Sequence, residues 1–162
     1  MDVTHLVESA RRNGIERFAV GAIVHRDGEI LLLRRRVDDT SCPGAEDLPS
    51  GGVDPGESLL EGLARELSEE IGLQPGATGP GTGAGTGPGT GLLVLEPFVT
   101  WFDYDSRHGT RKRQFTFALP HDGSAVVLSE EHTGYRWAPA GDYTASDLTP
   151  QVKLAVRDWL AR

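Results

Sequence analysis

The chain has 162 residues, 38% of them apolar, which suits one compact domain with its own core. Its net charge of −8 argues against a general binder of nucleic-acid backbones, which needs an excess of Lys and Arg. The lone cysteine, Cys42, excludes an internal disulfide framework and a cysteine-rich zinc module; no early apolar run suggests a signal peptide or membrane span, so a reducing cytoplasm is the expected home.

Val3, Leu6, Val7 and Ala10 recur at helical spacing ahead of Asn13-Gly14, which predicts a short amphipathic helix docked on the domain. From Arg17 to Arg36 two apolar runs, FAVGAIV and EILLLRR, flank Arg26-Asp27-Gly28, and an Asp-Gly pair between strands predicts a hairpin. Arg34, Arg35 and Arg36 end the second run. Such a cluster either meets substrate phosphates or faces water, and charge runs usually face water. Strand alternation sends Arg34 and Arg36 one way and Arg35 the other. Residues 37 to 50 read as a loop, a place where a substrate entrance is often lined.

The stretch GGVDPGESLLEGLARELSEEIGL, Gly51 to Leu73, organises the rest. Gly51, Gly52, Pro55 and Gly56 make its first half turn-rich, and helical periodicity runs from Ser58 to a stop at Gly72. Leu60, Leu63, Leu67 and Ile71 share a face that must be buried. Glu66, Glu69 and Glu70 occupy the neighbouring arc, and Glu57 stands at the junction of loop and helix. Like charges three and four apart on a helix repel by roughly 0.2 to 0.5 kcal/mol each, and a bound cation would remove that repulsion. Hard oxygen donors in this number suit Mg²⁺ or Mn²⁺, and Mg²⁺ is usually shared between a few carboxylates, water and substrate phosphates. The expected substrate is therefore a phosphate ester or anhydride. An acidic helix face alone is more often only solvated surface.

Pro75 to Gly91 contains only Gly, Pro, Thr and Ala, and such a tract cannot bury enough surface to offset its chain entropy. It reads as a flexible insertion at residues 75–91 within a single domain spanning 1–162, since closing a long loop adds little free energy. From Leu92 the run LLVLEPFVTWFDYDS predicts a strand, followed by a turn around Ser106 to Gly109 and a second strand, RKRQFTFALP. In the latter Phe115, Phe117 and Leu119 alternate with Gln114, Thr116 and Ala118, as in a half-buried strand. Trp101, Phe102 and Tyr104 offer a stacking face for a nucleobase, and Arg107, Arg111, Lys112 and Arg113 offer contacts to phosphates; aromatics on a strand are more often core or sheet surface. Trp101 and Tyr104 point to opposite faces of a regular strand. Thr149-Pro150 marks a helix start, with Val152, Leu154, Val156, Trp159 and Leu160 as its packing face.

Gly51, Glu57, Arg65-Glu66-Leu67, Glu69-Glu70, Gly72 and Leu73 fall at every specified position of G-x5-E-x7-R-E-U-x-E-E-x-G-U, so the segment resembles the complete Nudix box. The resemblance covers 23 residues and implies an α+β fold, an α/β/α sandwich with a mixed sheet, that hydrolyses a nucleoside diphosphate linked to another group. It implies Glu66 and Glu70 as principal metal ligands, with Glu57, Glu69 and a backbone carbonyl beside Gly51 completing the shell, and Arg65 orienting a glutamate. Ser50 stands where that family more often has glycine. Glu131, in Ser129-Glu130-Glu131-His132, is similar to the later loop glutamate that serves many such enzymes, so Glu69 and Glu131 both remain candidates for general base. His132 is as readily a structural histidine as a catalytic one. Arg35, Arg113 and Trp101 are the candidate substrate contacts.

A small nucleotide, with nucleoside triphosphates favoured, is the expected substrate; ADP-ribose or a nucleotide sugar is the alternative, and a nucleotide-sensing module without turnover stands outside enzymes altogether. An isoprenoid diphosphate isomerase would need a reactive cysteine beside its substrate. Homodimers are common in the resembled family, and that resemblance alone suggests one here.

Overall fold

The computed structural model describes residues 1–74 and 93–162. The expected insertion at 75–91 lies outside the described residues. In chain order the elements are α1 (Thr4–Arg12), β1 (Arg17–Arg26), β2 (Glu29–Arg35), β3 (Glu46–Asp47), β4 (Ser50–Gly52), α2 (Leu59–Ile71), β5 (Val99–Asp105), β6 (Arg111–Pro120), β7 (His132–Pro139), a 3₁₀ turn (Ala140–Ala145) and α3 (Pro150–Leu160).

β1 is the axis of the sheet. It pairs with β6 in parallel over nine residues, from Arg17 opposite Lys112 to His25 opposite Pro120, and antiparallel with β2 and β4. β5 closes one edge against β6, and β7 runs antiparallel along β2. Asp27 and Gly28 turn the β1–β2 hairpin with φ of 48° and 79°, the left-handed pair that a two-residue turn of this hand requires.

Two cores follow from strand alternation. Val20, Ala22, Val24, Leu31, Leu33, Phe115 and Phe117 face α1 and α2, joining Ala10, Leu59, Leu63, Leu67 and Ile71. Ile23, Ile30, Leu32, Leu48 and Ala118 face the other way and meet Val152, Val156 and Trp159 of α3. Helices thus cover both faces of a mixed sheet, the expected α/β/α sandwich of an α+β fold.

Several local expectations change. β6 is buried without a break from Phe115 to Leu119, because an interior strand covered on both faces has no solvent side. β5 begins only at Val99: Pro97 has no N–H to give a ladder, and just before it the chain curls on itself, Leu95 N–H donating to Leu93 O and Phe98 N–H to Glu96 O. On α3, Leu154 and Leu160 are exposed and Ala155 takes a buried place. On α2, Leu59 is buried where Leu60 is only partly so. Of two short strands, β3 falls within the loop expected over 37–50 and β4 runs from its last residue into Gly51-Gly52. The arginine cluster ends in ion pairs: Arg34 with Glu46 and Asp147, Arg35 with Asp39 and Asp47, Arg36 with Asp38. A register shift between Arg34 and Arg35 interrupts the simple alternation expected of them.

Candidate active site

The loop before α2 and the first turn of α2 are held by their own polar groups. Ser58 Oγ accepts from the Glu61 N–H at 3.2 Å while Glu61 Oε2 accepts from the Ser58 N–H at 2.8 Å, a reciprocal cap that fixes where the helix begins. Gly72 ends it at φ 71°, a left-handed cap suited to glycine.

Arg65 ties that loop to the helix. Its Nε and Nη2 donate to Glu57 at 2.7 and 3.0 Å, its Nη1 to Glu66 at 2.8 Å and Glu69 at 3.4 Å, and its Nη2 also to the Gly52 carbonyl at 2.8 Å. The guanidinium holds Glu57 below the usual carboxylate range, with the Asp54 N–H, 2.8 Å from Glu57 Oε2, adding to the effect.

Gly51 lies against Glu66. A Cβ at this position would stand 2.1 Å from Glu66 Cδ, so a side chain here would displace the carboxylate. No positive φ is involved; the glycine serves close approach between β4 and α2.

Glu70 is 4% exposed and accepts the Ser50 N–H at 2.8 Å. Burial, with the charges of Glu66, Glu131 and Asp47 nearby, pushes it up to about 8. Burial raises Glu66 as well, against the pull of Arg65. Glu69 is mostly exposed on the outer side of the arc. Glu131 sits in the loop before β7, where the Arg36 N–H donates to its carbonyl at 3.3 Å, and its charge reaches both Glu66 and Glu70.

These carboxylates match a hard divalent cation in donor type, and their mutual repulsion is what a cation would relieve. Among the described residues no three acidic, histidine or cysteine side chains are already gathered in ligating geometry. Arg65 occupies oxygens of Glu57 and Glu66, so ligation requires those side chains to turn from it.

A cavity of about 590 Å³ opens beside Glu70's hydrogen-bond partner Ser50, between the sheet and α3. Phe102 and Tyr104, with ring centroids 6.0 Å apart, line it together with Gln114, Asp47, Arg35, Arg107 and Lys112. Arg35 reaches it from its bonds to Asp47 at 2.8 Å and Asp39 at 3.2 Å.

Arg113 and Trp101 do not belong to this cavity. Arg113 is buried, bonded to Asp103 at 2.7 and 2.9 Å, with its guanidinium 3.7 Å from the Trp101 ring centre. Phe115, Phe117 and Leu119 of β6 face the α2 side, while Phe102 and Tyr104 of β5 and Lys112 and Gln114 of β6 face the cavity. Sequence reasoning missed Gln114, Ser50 and Asp47; strand alternation, applied to β6 as it was to Trp101 and Tyr104, would have separated Gln114 from Arg113. Cys42 lines the cavity too. His132 is buried with its Nδ1 unpartnered among the described residues, and burial pulls it below the ordinary imidazole range.

No helix among the described residues is long and apolar enough to cross a membrane. No curated protein matches the chain. In structure it is similar to the MutT protein from Methanosarcina mazei Go1, at 26% identity and TM-score 0.69 over 88% of this chain and 91% of that one. It is similar also to the E. coli ORF135 protein, at 21% identity and TM-score 0.68 over 92% of each chain. A C. elegans Ap4A hydrolase shares 22% identity and TM-score 0.68 over 90% of this chain and 96% of that one. The family model for the NUDIX domain matches residues 16–160, nearly the whole chain, and the protein accordingly belongs to the NUDIX domain family.

Proposed function

We propose that the chain cleaves the diphosphate linkage of a small nucleotide, nucleoside triphosphates being favoured, with Mg²⁺ as cofactor and Mn²⁺ as substitute. The observation that carries this reading is Glu70: a buried carboxylate whose nearby charges include Glu66, Glu131 and Asp47, bonded to Ser50 at the edge of a cavity lined by aromatic and cationic side chains.

Glu66 and Glu70, with Glu57, Glu69 and the Gly51 backbone, would hold the cation. When bound, it neutralises diphosphate oxygens and makes water more acidic. Arg65 acts on the glutamates, holding Glu57 and Glu66 on the loop side of the helix until ligation redirects them. Arg35, anchored by Asp47, offers its charge to a phosphate in the cavity. Phe102 and Tyr104 supply the apolar surface for a base. Proton removal from the attacking water falls to Glu69 or Glu131; single Gln variants assayed at saturating Mg²⁺ separate the two, the base being the one whose loss lowers kcat the more and removes the lower limb of the pH–rate profile.

The deciding experiment is product analysis on triphosphates, ADP-ribose, nucleotide sugars and dinucleoside polyphosphates with Mg²⁺, using Glu70→Gln as control. A monophosphate and pyrophosphate from a triphosphate, absent in the variant, supports the proposal. Binding without any metal-dependent product supports the sensing-module alternative.

A further inference from the structure

We infer that Gln114 reads the edge of a nucleobase from the floor of the cavity, an inference that rests on the nucleotide reading above. Gln114 on β6 stands directly opposite Phe102 on β5, and Tyr104 lies two residues along on the same face. Side chains paired this way have Cβ atoms roughly 4.5–5.5 Å apart, and the Gln114 amide leans from there toward Gly21 on β1, so a base resting on the Phe102 ring meets the amide by extending across β6.

Gly21 on β1 makes room for that amide. A Cβ at Gly21 would stand 2.8 Å from Gln114 Nε2 and 3.4 Å from Ser50 Cβ. Gly21 has no positive φ that would call for glycine, and glycine inside a strand weakens it. The missing side chain therefore serves the space above β1, across which the Gln114 amide extends toward Ser50.

An amide presents one donor and one acceptor side by side; a carboxylate of the same size presents acceptors only. Gln114→Glu should therefore favour guanine, whose N1–H and N2–H₂ are adjacent donors, and disfavour uracil, whose O4 is an acceptor. A bidentate pair of this kind discriminates between bases by about tenfold or more.

Cys42 lines the same cavity and reports its occupancy through protection from a thiol reagent. The probes are AMP, GMP, CMP and UMP without added metal, so that hydrolysis does not intervene. The GMP to UMP affinity ratio should rise about tenfold or more in Gln114→Glu. Gly21→Ala, which displaces the amide and leaves the other cavity groups in place, should flatten the wild-type ranking and carries the test if Gln114→Glu does not fold. Unchanged ratios in both variants, or a wild-type ranking flat within about twofold, overturn the role of Gln114 and leave the nucleotide reading standing. No protection by any monophosphate in the wild type overturns both.

Discussion

Replacing Glu70 by Gln should make the metal-free protein more stable. In the folded chain Glu70 is raised from an ordinary 4.5 to about 8. A carboxylate whose folded pKa is raised contributes its stability fully below the unfolded value and loses it as pH rises toward the folded one. At pH 7 the interval crossed is about 2.5 units, and at 1.36 kcal/mol per unit this is as much as about 3 kcal/mol. Gln is neutral at every pH and its carbonyl can still accept the Ser50 N–H, so the variant escapes the loss. For a chain of this length a gain of that size raises the melting temperature by roughly 6–12 °C. The assay is thermal unfolding in EDTA between pH 4 and 8, repeated with Mg²⁺. The gap between variant and wild type should open above about pH 4.5 and narrow when Mg²⁺ stabilises the wild type alone. A variant no more stable than wild type at pH 7 in EDTA, or a gap already present at pH 4, would refute the account of Glu70 as a strained carboxylate.

Gly51→Ala should displace Glu66 while leaving the fold intact, so that the Mg²⁺ concentration giving half-maximal activity rises about tenfold or more and the melting temperature in EDTA changes little. Arg65→Lys keeps the charge and loses the fork that joins Glu57, Glu66 and the Gly52 carbonyl; kcat should fall with KM little changed in steady-state kinetics. Ser58→Ala removes the helix cap and should lower stability by about 1 kcal/mol in denaturant titration. Trp101→Ala should leave KM within about twofold, because its ring packs on Arg113 outside the cavity; a large rise would return Trp101 to the substrate contacts.

The segment from Gly51 to Leu73 was legible because its constraints are local. Ser58 and Gly72 cap the helix by hydrogen bonds and φ angles that depend on nearby residues, and the 3.6-residue period sets the glutamates beside one another wherever the helix lies. The Asp27-Gly28 turn and the Thr149-Pro150 helix start were legible for the same reason. The electrostatic difference between Glu69 and Glu70 was not, since it depends on β4 packing against one side of α2: Glu70 is enclosed and bonded to Ser50, while its neighbour faces water. Nor could spacing assign Arg113, which parallel pairing of β6 with β1 sets on the α2 side of the sheet, while the same pairing sets Gln114 in the cavity. Helix periodicity and capping act over a few residues, whereas burial and facing depend on strands distant in the chain, and desolvation by those strands is what gives Glu70 its altered chemistry.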